Sequence, residues 1–286
     1  MSQQFPSLDS YIERIANQYQ QMLANESLEE SDYQEFFEQN PCILSGLTPI
    51  GGQGVLLDAL ISQPKIQFSD TRIPDFVWLT RNSLDFCPTF IEIEKPNKEC
   101  FKQNQKLSSA FHEAHDQLGA WKALLSHDDT KRSLFDMFSL PKDLLDLNFK
   151  PSYVLIIGRR SQWENSQRKI RTLGVQSNDG FTKIHSFDHV APTADSILPY
   201  IQSIVTCRII NGQLTVIDIP DALTLCPTLR DSYARWSNFH EALDANLNIN
   251  QERKNYLHHT FDEIVEGRLL PENFGPGKYG KRNVYL

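Results

Sequence analysis

Three carboxylates interrupt apolar runs between Arg72 and Pro96. Asp75 stands at the head of Phe76-Val-Trp-Leu-Thr80, and Glu92 and Glu94 sit within Thr89-Phe-Ile-Glu-Ile-Glu-Lys95. Side chains alternate along a strand, so Glu92 and Glu94 project from one face, and Lys95 points away unless the strand ends there. Carboxylates on a buried sheet face are costly alone, so acids grouped there usually hold something cationic. The simplest occupant is a divalent metal ion held by Asp75 and Glu92, with Glu94 and Lys95 beside it. The same alternation also fits a half-exposed strand whose acids face water. Residue types alone leave both readings open.

The elements that must position these acids follow from periodicity. Two short strands flank the turn Arg81-Asn-Ser-Leu-Asp85, as expected for adjacent antiparallel strands. Helical spacing covers Leu8–Leu23 and a second helix from Leu28 to just before Asn40-Pro41, where proline disfavours continuation. Glu30 falls on the Tyr33/Phe37 stripe of that helix; it is either a site acid or a first-turn acid favoured by the helix dipole. Leu107, Ala110, Phe111, Ala114, Leu118, Trp121 and Leu125 predict a long amphipathic helix. Gln117 is expected on its buried side, where an amide must find partners. His112 and His115 lie on the polar face, without the order of a metalloprotease motif. Ser152–Gly158 reads as a central strand buried on both faces and Thr182–Phe187 as another strand. Asn211-Gly212 marks a hairpin, and Leu229–Leu243 and Arg253–Leu269 read as helices. The glycines from Gly46 to Gly54 lack a nucleotide-cradle spacing and read as a turn; the basic tail from Gly275 reads as irregular.

Composition narrows the class. The chain has 286 residues, 40% hydrophobic and 22% charged, ordinary for a globular protein. No apolar run reaches the ~20 residues of a membrane span, and the first residues lack the pattern of a secretory signal. Five cysteines, none in C-x-x-C spacing, point to a reducing compartment and a cytoplasmic location. The net charge of −8 argues against a uniformly nucleic-acid-adhesive surface but permits a local basic groove. Lys95, Lys98, Lys102 and Lys106 form one candidate cluster; Arg159, Arg160, Arg168, Lys169 and Arg171 form another. Leu229, Tyr233, Trp236 and Phe239 are core or a subunit interface, core being the commoner use.

Pro74-Asp75, Glu92-Ile-Glu94-Lys95-Pro96 and Gln117-Leu-Gly-Ala-Trp121, in that order, resemble the PD-(D/E)xK nuclease superfamily, and more narrowly the Shedu-type domain of antiviral defence proteins. Glu30–Pro41 resembles that family's opening helix, and Lys183–Val190 its closing strand and loop. The resemblance implies an α/β fold: a restriction-endonuclease-like mixed β-sheet flanked by helices, with a C-terminal α+β extension. It divides the chain into an N-terminal helix (1–27), the nuclease-like domain (28–200) and the extension (201–286). It further implies a metal-dependent endonuclease acting on nucleic acid, DNA in the first instance, as a homo-oligomer without membrane attachment. Asp75, Glu92 and the carbonyl of Ile93 would bind Mg²⁺ or Mn²⁺. Glu94 would hold a second metal or orient water, Lys95 would stabilise the transition state, and Glu30 and Gln117 would position groups around them. The family's acid-x-lysine puts lysine where this chain has Glu94. That departure supports a rival reading, a catalytically weak nuclease-fold module for nucleic-acid binding or assembly.

Overall fold

In the computed structural model, which describes residues 8–47, 54–67, 71–193 and 202–269, one nine-stranded mixed sheet carries the chain. Its members are β1 (Gly54–Val55), β2 (Ala59–Ser62), β5 (Phe76–Arg81), β6 (Asp85–Ile93), β7 (Asn148–Phe149), β8 (Ser152–Ile156), β9 (Thr182–His185), β10 (Val205–Ile210) and β11 (Gln213–Asp218). A small separate ladder pairs β3 (Ile66–Gln67) with β4 (Thr71–Arg72). The main path runs β11-β10-β2-β5-β6-β8-β9, with β1 beside β5 and β7 beside β6. This is the expected mixed sheet flanked by helices.

Strand β6 is buried along all its residues and starts at Asp85, four residues before the run read from sequence. Its turn from β5 is closed by Asn82, whose Oδ1 accepts from the amides of Leu84 (2.8 Å) and Asp85 (2.7 Å). The β6–β8 and β8–β9 pairs are parallel and therefore need long crossovers. Helices α3 (Ser109–Leu125) and α4 (Asp128–Met137) make the first crossover, and α5 (Gln167–Gln176) the second. Ser108 caps α3 by accepting from Phe111 N at 3.0 Å. Two cores result. One lies between the sheet and α3, α4 and the C-terminal helices; the other lies under α1 (Leu8–Ala24) and α2 (Glu30–Gln39).

The hairpin expected at Asn211-Gly212 forms, with both residues left-handed (φ 52° and 77°), as a type I′ turn requires. Strand β10 then pairs in parallel with β2, so part of the region read as an extension lies within the same sheet. β2 itself, Ala59-Leu-Ile-Ser62, escaped the sequence reading. The single helix expected over Leu229–Leu243 is instead α6 (Arg230–Tyr233) and α7 (Phe239–Ala245), parted at Asn238 (φ 63°). Tyr233, Trp236 and Phe239 are buried core, packed with Phe261 of α8 (Gln251–Val265). Parts of two stretches read as irregular, Thr48–Gln53 and the tail from Gly275, lie outside the described residues. No helix among the described residues is long and apolar enough to cross a membrane.

Gly158, at φ 65° just past β8, is where backbone freedom is required. A Cβ there would stand 3.0 Å from both the Lys98 carbonyl and the Cys100 sulfur, and 2.9 Å from Gln162 Oε1. Gly119, inside α3, faces open space. Gly158→Ala is therefore expected to lose about 1–3 kcal/mol in urea unfolding. Gly119→Ala should gain about 0.5–1 kcal/mol in the same assay.

Candidate functional site

The β5–β6 register brings the acids together. Phe76 pairs with Ile91 and Val77 with Phe90, so Asp75 stands opposite Glu92 on the α3 face. Their carboxyls lie close enough to interact directly. Each also has one oxygen held by a neutral donor. The Ile93 amide donates to Asp75 Oδ2 at 2.7 Å, and the Trp121 indole donates to Glu92 Oε1 at 2.5 Å. Trp121 thus serves the site as well as the helix seam. Its ring stacks on Phe90 (centroids 5.5 Å, 22°), which fixes the direction of its N–H.

The backbone of Asp75 is pinned separately. Its carbonyl accepts from Gln63 N at 2.9 Å and from Gln34 Nε2 at 3.4 Å. Gln34 is buried on α2 and also donates to Ser62 and Glu38, both at 3.2 Å. Arg208, on β10, reaches the same Glu38 oxygen at 2.8 Å. A polar network therefore runs from the C-terminal hairpin to the residue before β5.

Beyond the end of β6 the chain turns at Pro96, and Lys98 N donates to Lys95 O at 3.1 Å. That turn delivers Lys98, not Lys95, to Glu94: its ammonium pairs with that carboxylate, which is only 5% exposed. Glu30, the first residue of α2, stands near Glu94 at the solvent rim, and the two carboxylates feel each other's charge. Lys95 pairs at 2.6 Å with Glu29, and its charge, like that of Lys98, also bears on Glu30.

Five of the expected site residues, Asp75, Glu92, Ile93, Glu94 and Glu30, thus converge. Gln117 requires a correction. It lies one turn before Trp121, but its side chain is exposed rather than buried, because the stripe that α3 buries is Phe111, Ala114, Leu118, Trp121 and Leu125. Of the second basic cluster, Arg159 is tied to Asp188 at 2.8 Å and to the Leu23 carbonyl at 3.0 Å, a structural anchor. His115 stacks on Phe111 and meets the Gln176 carbonyl at 3.3 Å, away from the acids.

The comparison with protein families falls on this assembly of elements. The model described as Shedu protein SduA, C-terminal, matches residues 27–190, more than half of the chain. The chain belongs to the Shedu SduA C-terminal family. The matched span includes Asp75, Glu92, Glu94, Lys98 and Trp121, and membership points to a role in Shedu antiviral defence. The comparison with curated proteins gave no match.

Electrostatically the acid pair of this Shedu domain is primed for protons or a cation. Burial pushes Asp75 well above the usual carboxylate range, against the Ile93 hydrogen bond, and the charges of Glu30 and Glu94 add to the rise. Burial likewise raises Glu92, and the charge of Asp75 raises it further. Glu30 is raised by burial and by Glu94. Among the described residues no group of three His, Cys, Asp or Glu side chains forms a metal-ligating array. Two carboxylates still suit Mg²⁺, which is commonly held by one or two of them and keeps several waters. Asp75 and Glu92 each keep one oxygen clear of the Ile93 and Trp121 donors, and those oxygens fit such an ion.

Because both carboxyls titrate higher folded than unfolded, the native state binds more protons above about pH 4, the unfolded carboxylate value. Metal-free protein should therefore lose stability as pH rises from there into the alkaline range. Glu92→Gln removes one buried charge and should flatten that decline, leaving the variant more stable than wild type near pH 8.5. Urea midpoints across pH 5–9 measure both.

Proposed function

We propose that this Shedu domain is a metal-dependent endonuclease of the PD-(D/E)xK type, cleaving phosphodiester bonds of DNA in antiviral defence. The observation that carries this reading is the meeting of Asp75 and Glu92 across the β5–β6 register, beside the Glu94–Lys98 ion pair. Mg²⁺ or Mn²⁺ held by Asp75, Glu92 and the Ile93 carbonyl would supply Lewis acidity and a more acidic bound water.

The chain's own groups do the rest. The Trp121 indole and the Ile93 amide orient the two carboxylates so that no rearrangement is needed when charge arrives. Lys98, held by Glu94 at the mouth of the pair, is placed to meet negative charge building on a phosphate oxygen. Glu94 keeps that ammonium in place and can take a proton from an attacking water. The lysine missing from the acid-x-lysine position is thereby replaced from the turn after the strand, four residues beyond Glu94. Glu30, at the rim, completes the acidic wall facing substrate.

A second reading, a binding or assembly module that cuts poorly, draws on one observation: Lys98 is already neutralised by Glu94. Cleavage of linear DNA with Mg²⁺ or Mn²⁺ separates the two. Asp75→Asn and Glu92→Gln should each lower the rate by at least about 10²-fold, and Lys98→Met by a comparable factor, since removal of one charge-stabilising donor costs on the order of 10²–10³. Lys95→Met should cost severalfold at most. Equal loss in Lys95→Met and Lys98→Met would remove the special role given to Lys98, and cleavage undiminished in Asp75→Asn would end the nuclease reading.

Proton and cation compete for the same carboxylates, so Mn²⁺ affinity measured by calorimetry should rise steadily from pH 6 to pH 8.5, with protons released on binding. Glu92→Gln should weaken that pH dependence to the share carried by Asp75 and remove most of the affinity.

A further inference from the structure

On the same α3 face, toward the start of β8, an open cleft of about 540 Å³ lies between the end of α3, α4 and the strand β9. Its walls carry the rings of Phe149, Tyr153 and Phe181 and the ammonium groups of Lys122, Lys131 and Lys150. In a chain of net charge −8, this lining has three lysines against a single carboxylate, Asp179. Phe181 is 43% exposed at the rim, a large ring left in water. Tyr153 continues inward onto Phe90 (centroids 6.1 Å, 27°), so the aromatic wall is rigidly backed.

We propose that this cleft binds a nucleotide, with the base against the aromatic wall and the phosphate between Lys122 and Lys150. The volume falls within the range of about 300–1,000 Å³ typical of small-ligand sites. An apolar ligand would leave the ammonium groups unused, and a simple anion would leave the rings unused; a planar aromatic anion satisfies both. Lys122 pairs with Asp179 at 2.7 Å and Lys150 with Asp85 at 2.9 Å. The Lys122–Asp179 pair is partly exposed on both sides and contributes little, whereas Asp85 is buried and stays with Lys150; each ammonium has three donors, so a phosphate can join both pairs. Lys131 donates to the carbonyls of Leu145 and Leu147, which fixes its charge at the cleft wall. The chemistry is the same for a free nucleotide and for one unit of a single strand.

Calorimetric titration of the full chain with AMP, adenosine, ribose 5-phosphate and a short oligothymidylate tests the site. AMP or the oligothymidylate should bind, and adenosine and ribose 5-phosphate should bind at least tenfold more weakly than AMP if the free nucleotide is the ligand. Binding of the oligothymidylate alone identifies the strand as the source. Phe181→Ala and Lys150→Ala should each weaken the productive probe about tenfold, the scale of one lost base stack; Phe181→Leu replaces Phe181→Ala if the latter fails to fold. Asp75→Asn and Glu92→Gln should bind as wild type does, so this site stands or falls apart from the cleavage reading. No binding of either probe at millimolar concentration, binding that survives both cleft substitutions, or binding lost in Glu92→Gln would each overturn the proposal.

Discussion

Two carboxyl groups held face to face beneath a helix, largely out of water, set the terms for everything around them. Such a pair is unstable as two anions, since desolvation and mutual repulsion both oppose it. The surrounding chain does not remove that penalty; it directs it. Trp121 and the Ile93 amide each take one oxygen, which fixes the orientation of both carboxyls. A hydrophobic replacement of similar volume would pack as well, so the pair is weak evidence for stability.

Holding that geometry takes supports from distant parts of the chain. Asp75 stands one residue before β5, where strand pairing alone would leave its backbone loosely held. Gln34 from α2 and Gln63 after β2 bond its carbonyl. Gln34 in turn meets Glu38, which is engaged by Arg208 and through its backbone by Thr206, both on β10. The hairpin near the C-terminus thus finishes the sheet edge next to β2 and also tensions the network that ends at Asp75. Loss of the hairpin would be felt at the acid pair although none of its residues touches it.

Much of this was legible in order along the chain. Alternation within Thr89–Glu94 gave the shared face of Glu92 and Glu94, and the turn at Arg81–Asp85 implied the antiparallel pair that brings Asp75 opposite Glu92. What sequence patterns could not supply was direction at the ends of elements. Gln117 sits between buried positions of α3, yet helical rotation turns it outward, since a stripe of one residue in three or four leaves the flanks exposed. Lys95 and Lys98 are equivalent as charges near a proline. Only the turn after Pro96, closed by Lys98 N on Lys95 O, decides which one reaches Glu94. β2 was missed because its four residues, all buried, are too few for a period to show.

The position of Lys98 places a positive charge beside the glutamate that stands where the resemblance would put a lysine. A lysine on the strand would project from the same face as Glu92, its reach limited by the rigid pleat. A lysine from the following turn approaches from the open end, and a carboxylate at position 94 is then needed to draw it in. The dependence is one-sided: loss of Lys98 would leave the buried Glu94 carboxylate unpaired, at a cost of several kcal/mol in a low-dielectric setting, whereas Lys98, 30% exposed, would still meet water. Gly158 makes the exchange sterically possible, because the Lys98 carbonyl lies where any other residue's Cβ would crowd it. Glu94 and Lys98 therefore act as one unit, on a turn that Gly158 leaves room for.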